Sequence, residues 1–277
     1  MRISISNIAW NPAEDEHVAD ILAERNIDAI DVAPTKYFPS LKAVSVNDLN
    51  VVRCWWEDRG IEIIGMQSLM FGMGNLNLFG VPDIQAEMLE YLKSVCDVGA
   101  GLGAKYLVFG SPKNRDRLSY TDSQARTIAV DFFRRLGDFA DSLNMIICLE
   151  PNPAIYGCNY LRNSMETAAV VRSVAHPAIR MQLDTGALQI NKEDVGYTLL
   201  EYADIIGHVH LSEPNLICIQ DSDFHYVAGK LISEKLPEHI ATIEMLNSND
   251  ANGLANIEQA LDIVIHNYRS NQQRALM

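Results

Sequence analysis

Residues 145–153 read MIICLEPNP. Residues of the kind a strand buries run into a carboxylate, Glu150, and Pro-Asn-Pro then stops the chain. Proline has no amide hydrogen for a sheet ladder, so a central strand ends at such a stretch. An acid at the end of a buried strand needs a partner or a task.

The same form recurs along the chain. Short apolar runs occur at RISISNIAW (2–10), AIDVAP (29–34), EIIGMQSLM (62–70), YLVFGSP (106–112), MIICLEPN (145–152), IRMQLDTG (179–186), IIGHVHLSE (205–213) and ATIEML (241–246). Amphipathic segments of helical period flank them, among them EDEHVADILAERN, SQARTIAVDFFRRLGDFADSL and NIEQALDIVIHNY. Strand and helix alternating eight times in 277 residues predict an α/β chain, a (β/α)8 TIM barrel with residues 1–277 as a single domain. The alternative is a doubly wound open sheet. No G-x-G-x-x-G follows the first run, so nothing supports a dinucleotide site there.

A barrel carries its active site at the C-terminal ends of its strands. The last four runs each place a polar residue there: Glu150 in CLEPN, Asp184 in QLDTG, His210 in HVHLSE and Glu244 in TIEML. Singly, each has an ordinary explanation. A carboxylate at a strand end caps helices or pairs with a cation, and either His208 or His210 could be a satisfied core histidine. Together, three converging carboxylates repel one another and are driven to protonate, and leaving them buried and unpaired is costly. A divalent cation relieves both problems. The oxygen and nitrogen donors suit Mn2+, Mg2+, Co2+ or Zn2+, and no thiolate forces zinc.

Composition bounds the partners. Hydrophobic residues make up 48% and charged residues 21%, and the formal net charge is −14. That charge argues against nucleic acid as a partner, because phosphate-backbone binding is driven by Lys and Arg. The five cysteines, Cys54, Cys96, Cys148, Cys158 and Cys218, are scattered without a C-x-x-C, the pattern of a reducing, cytoplasmic compartment. The N-terminus reads as a strand rather than a signal peptide, and no run reaches the roughly 18–20 apolar residues of a membrane span.

At this quartet the chain resembles the xylose-isomerase-like TIM barrels, in particular the sugar phosphate isomerase and epimerase group of ketose 3-epimerases and hydroxypyruvate isomerases. LEPN, LDTG, HVHLSE and IEML match that group's metal ligands in order and strand placement. The resemblance implies that Glu150, Asp184, His210 and Glu244 bind the ion, with Glu150 and Glu244 also catalytic. It departs at three places. A substrate-binding His expected three residues after Asp184 is Ala187, an Arg expected six after His210 is Leu216, and a Glu expected six after Glu150 is Tyr156. Glu213 does match an acid of the group, or is a loop acid bonding backbone.

The implied reaction is that of a metal-dependent isomerase or epimerase acting on a carbohydrate or keto-sugar. A proton moves next to a carbonyl through an enediolate, one glutamate taking it and the other returning it. Asn152, Gln182 and Gln67 are candidates to orient substrate hydroxyls, or they satisfy backbone. Trp10 is either a platform for a sugar face or rim packing. Lys113, with Arg115 and Arg117 in SPKNRDR, either binds an anionic group or forms a solvated loop. His225 in DSDFH either reaches the pocket or lies elsewhere. The loop LMFGMGNLNLFG (69–80) is either a lid or a subunit contact, and Phe71 and Leu78, read as exposed, make a homo-oligomer possible.

Two other chemistries compete. A lyase or dehydratase acting on a sugar or inositol derivative would use the same ion and base. A phosphodiesterase like endonuclease IV would need a three-zinc cluster. Asp223 and His225 resemble part of that cluster, but GMQSLMFG and LVFGSP lack its further histidines.

Overall fold

The computed structural model describes residues 1–248 and 252–269. Strands and helices alternate as β1 (Arg2–Ser6), α1 (Asp15–Glu24), β2 (Ala29–Val32), α2 (Val46–Glu57), β3 (Glu62–Met66), α3 (Pro82–Leu102), β4 (Tyr106–Phe109), α4 (Asp122–Ser142), β5 (Ile146–Leu149) and α5 (Ser164–Val174). They continue as β6 (Ile179–Asp184), α6 (Thr185–Asn191), α7 (Val195–Tyr202), β7 (Ile206–Ser212), α8 (Asp223–Lys235), β8 (Ile240–Glu244) and α9 (Gly253–Tyr268). The eight strands pair in parallel and in chain order, and β8 closes on β1. The fold is therefore the single (β/α)8 barrel, and the open-sheet alternative is excluded. The regular strands are shorter than the apolar runs: β1 stops at Ser6, where Asn7–Ala9 turn into a 3-10 helix, and β3 stops at Met66.

Local chemistry sets the boundaries. Ser45 accepts from the Asp48 amide at the start of α2, and Asp48 accepts from Ser45 in return. Thr121 and Gln124 form the same reciprocal cap on α4. α3 ends at Gly103, whose φ of +86° belongs to the left-handed region that favours glycine.

Alternation along each strand sorts its residues between two faces. Ile3, Ile5, Ile147, Leu149, Met181, Leu183, Val209, Leu211 and Ile243 are buried and belong to the apolar core shared with the helices. The inward face is unusually polar. Ser4, Asp31, Gln182, His208, His210 and Thr242 are all fully buried, where branched apolar layers would be usual. Gly65 makes room for this interior, because a Cβ there would stand 2.5 Å from the Asp31 carboxyl. The β2–β3 register slips between Ile30 and Asp31, and such irregularities re-aim side chains beside active sites.

Among the described residues no helix is long and apolar enough to cross a membrane. The five cysteines are all unpaired.

Candidate metal centre and cavity

Glu150 follows β5, Asp184 and Glu244 close β6 and β8, and His210 lies within β7. Parallel pairing sets Asp184 beside His210, and Ser212 beside Glu244. The result is convergence: one donor atom from each of Glu150, Asp184, His210 and Glu244 lies within 4.8 Å of the other three. His210 Nδ1 is 3.1 Å from Glu150 Oε1 and 3.3 Å from Glu244 Oε2. Asp184 Oδ1 accepts from the Ala187 amide at 2.5 Å and Oδ2 from Ser212 Oγ at 2.9 Å. Gly110 leaves space for the group, since a Cβ there would collide with Glu150 Oε2.

The electrostatics are those of a site short of positive charge. Burial and then the negative charges of Glu150 and Glu244 push the Asp184 carboxyl up to about 8. Burial alone would lower the His210 imidazole, but Glu244, Asp31 and Glu150 together hold it well above its ordinary value. Burial works to raise Glu150, and its contacts with His210 and Asn152 and the charge of Arg115 outweigh it, so this acid sits below its ordinary value. Asp184 and His210 are thus both shifted toward their protonated forms. Three carboxylates and an imidazole at this spacing fit a divalent ion.

Each glutamate is keyed by an amide. Gln67 Nε2 donates to Glu244 Oε1 at 2.6 Å, and Asn152 Nδ2 donates to Glu150 Oε2 at 3.1 Å. Asn152 is fixed in turn by Arg115, whose Nη2 donates to Asn152 Oδ1 at 2.6 Å. Arg115 is fully buried, and its hold on Asn152 is a contact the sequence reading did not foresee. Nothing in SPKNRDR marks it ahead of the fold. Pro112–Arg115 form a 3-10 turn, in which residues three apart share a face, so Pro112 and Arg115 turn together.

Behind the imidazole lies a second cluster. Asp31 Oδ2 is 2.9 Å from His208 Nε2 and 3.8 Å from His210 Nε2, with all three residues fully buried. Thr242 Oγ1 is 3.1 Å from His208 Nε2, and the His208 ring stacks on Tyr106 at 5.0 Å. Burial favours a neutral Asp31, but His208 and His210 outweigh it and hold the carboxyl far below its ordinary range. Such outer partners set the orientation of a ligating histidine, typically at a cost of about 10–100-fold in metal affinity when lost. Asp31→Asn should therefore weaken Mn2+ binding by about that factor in competition against a chromophoric chelator. Unchanged affinity would remove Asp31 from this role.

The quartet's carboxylates line the floor of a cavity of about 590 Å3, together with Gln67, Asn152 and Ser212. Glu213 lines it as well, accepting from Gln189 at 3.0 Å and facing His225 Nε2 at 3.2 Å. Other expected substrate contacts lie elsewhere. Trp10 is 1% exposed, donates Nε1 to Asp15 at 2.7 Å and meets Trp56 edge to face, so the rim-packing alternative fits it. Lys113 is exposed and outside the lining. Gln182 is fully buried below the cavity, paired in register with His208. His225 is fully buried behind Glu213, 2.7 Å from the Tyr268 hydroxyl, and belongs to neither cluster of metal-ligand type among the described residues. In the loop, Phe71 is 71% exposed as expected, whereas Leu78 is fully buried.

A family model described as xylose isomerase-like TIM barrel matches residues 19–265. Among solved structures, D-psicose 3-epimerase with D-tagatose from Clostridium cellulolyticum H10 superposes with a TM-score of 0.81 at 16% identity, covering 98% of this chain and 100% of that one. The 3-keto-D-glucoside 4-epimerase of E. coli gives 0.74 at 14% identity, covering 95% and 99%. The IolI protein with a bound zinc atom gives 0.71 at 15% identity, covering 98% and 100%. At these identities the likeness is one of fold. No curated protein matches by sequence.

Proposed function

The chain belongs to the xylose isomerase-like TIM barrel family, and from that premise we propose that it is a divalent-metal-dependent isomerase or epimerase of a sugar or sugar derivative. One observation carries the reading: two glutamates, Glu150 and Glu244, flank the same imidazole nitrogen at 3.1 and 3.3 Å on the floor of a cavity of small-molecule size. The shared fold with sugar epimerases supports a carbohydrate substrate.

Glu150, Asp184, His210 and Glu244 would hold the ion, with Mn2+, Mg2+, Co2+ and Zn2+ all suited to these donors. A bound divalent ion supplies Lewis-acid stabilisation of negative charge on the substrate's oxygens. The chain's own residues move the proton. A substrate carbon beside its carbonyl sits between the two carboxylates. One oxygen of Glu244, held by the Gln67 amide, takes the proton as the enediolate forms. Glu150, held by Asn152, returns a proton to the opposite face of that carbon or to its neighbour. The first outcome is epimerisation and the second isomerisation.

Incubating the Mn2+-loaded protein with ketoses and keto-sugars in D2O should place deuterium on the carbon next to the carbonyl, read by mass and proton NMR. Deuterium entering no sugar that binds would exclude proton transfer of this kind. A product lighter by one water would move the protein to the lyase class.

A further inference from the structure

Resting on that reading, we propose that the substrate is an uncharged keto-sugar carrying an apolar substituent, a keto-glycoside with an aryl or alkyl aglycone, rather than a sugar phosphate or sugar acid. The first ground is charge. The lining includes four carboxylates, Glu150, Asp184, Glu213 and Glu244, and no lysine, arginine or histidine. One dication offsets two of those four charges and Arg115 behind Asn152 part of a third, so no positive charge is left over to hold an anionic substrate. The nearest cations are already engaged or face away. Arg115 is buried behind Asn152, and Lys113 is exposed outside the lining.

Backbone donors are also spent at the mouth. The Asn215 amide donates to the Tyr156 hydroxyl at 2.8 Å, and the Leu216 amide to the Glu213 carbonyl at 2.9 Å. Neither of these amides is left to hold a phosphate.

The second ground is the upper wall. Ala187, Leu216 and Tyr156 all line the cavity, joined by Phe71, Leu69 and Phe109. Asn215 and Leu216 sit at φ of +62° and +54°, conformations that ordinary side chains avoid. That turn sets an isobutyl group, not a polar one, into the wall. Phe71 is 71% exposed and Tyr156 40% exposed above a floor of acids and amides. The sugar's chelating oxygens belong on that floor. An apolar group at its far end would cover the aromatic faces, which suit a ring in stacked or edge contact.

The test titrates the Mn2+-loaded full chain by calorimetry with four probes: D-fructose, D-fructose 6-phosphate, and the methyl and phenyl glycosides of 3-keto-D-glucose. Deuterium exchange in D2O is read in parallel. Phenyl keto-glycoside should bind at least about tenfold more tightly than the methyl compound, and the phosphate more weakly than fructose. Phe71→Ala should shrink the phenyl advantage to below about threefold. Exchange on the methyl glycoside or fructose with phenyl and methyl affinities equal within twofold overturns this inference and leaves the isomerase reading standing. So does tighter binding of the phosphate. A concentration-dependent dimer that abolishes the phenyl advantage assigns the apolar rim to a second copy and overturns it as well. Failure of all four probes to bind or exchange removes both readings.

Discussion

Glu244→Gln should lower deuterium exchange into substrate by about 100–10,000-fold while the protein stays folded. The magnitude follows from the task. A positioned general base contributes roughly 100–10,000-fold, and an amide cannot take the proton at all. The substitution is nearly isosteric, and the geometry says why the fold should survive it. Glu244 Oε1 accepts from Gln67 Nε2 at 2.6 Å, and the glutamine's carbonyl oxygen can occupy the same place. Its amide group then falls toward His210, where a carboxylate oxygen now stands 3.3 Å from Nδ1. Loss of base and partial loss of an ion donor would otherwise be confounded. Metal affinity and substrate affinity should therefore be measured on the same variant. Exchange should collapse even at saturating Mn2+, with substrate binding retained within about tenfold. Exchange above a tenth of the parent rate at saturation would strip Glu244 of the base role and leave it a ligand only.

Removing the ion should have the other large effect. Dialysis against a chelator should abolish exchange, and adding back Mn2+, Co2+, Mg2+ or Zn2+ should restore it to metal-dependent extents. The same experiment has a reading that does not depend on turnover. An ion at about a hundred times its dissociation constant stabilises the folded state by roughly 2.7 kcal/mol, which for a chain of this size raises the thermal midpoint by roughly 5–10 °C. The stabilisation has a local cause, because without an ion Asp184 is pushed up to about 8 by burial and by Glu150 and Glu244. Asp184→Asn should remove most of the ion-induced shift. A midpoint indifferent to every divalent ion, with exchange intact after chelation, would end the metal reading.

Much of the site was legible because a barrel converts position along a strand into position in space. Glu150, Asp184, His210 and Glu244 each end or nearly end an apolar run, and closure of β5 through β8 brings such ends together. No comparable rule governs which way a loop residue turns. Trp10 follows β1 as an aromatic platform would, yet its indole nitrogen finds Asp15 and the ring turns into the core. Lys113 and Arg115 are both basic and two residues apart, and a single 3-10 turn sends one to solvent and the other inward to Asn152. Leu78 carries no local mark that separates it from Phe71, though one is fully buried and the other 71% exposed. Asp31 is a different failure. AIDVAP reads as a strand with one stray acid, and the reason for the acid is His208, 177 residues away in sequence. Long-range pairing of that kind has no periodicity to betray it.

All four groups of the candidate metal centre come from consecutive strand ends on one arc of the closed ring, β5 to β8. The opposite arc contributes keys and walls: Gln67 beyond β3, Arg115 beyond β4, and the Phe71 segment between β3 and α3. Walls rise from the first arc as well, in Tyr156, Ala187 and Leu216, so both semicircles shape the guest. A guest of new shape is to be admitted by exchanging single wall side chains such as Phe71, because the 68–80 segment around it also buries Leu76, Leu78 and Phe79 in the core.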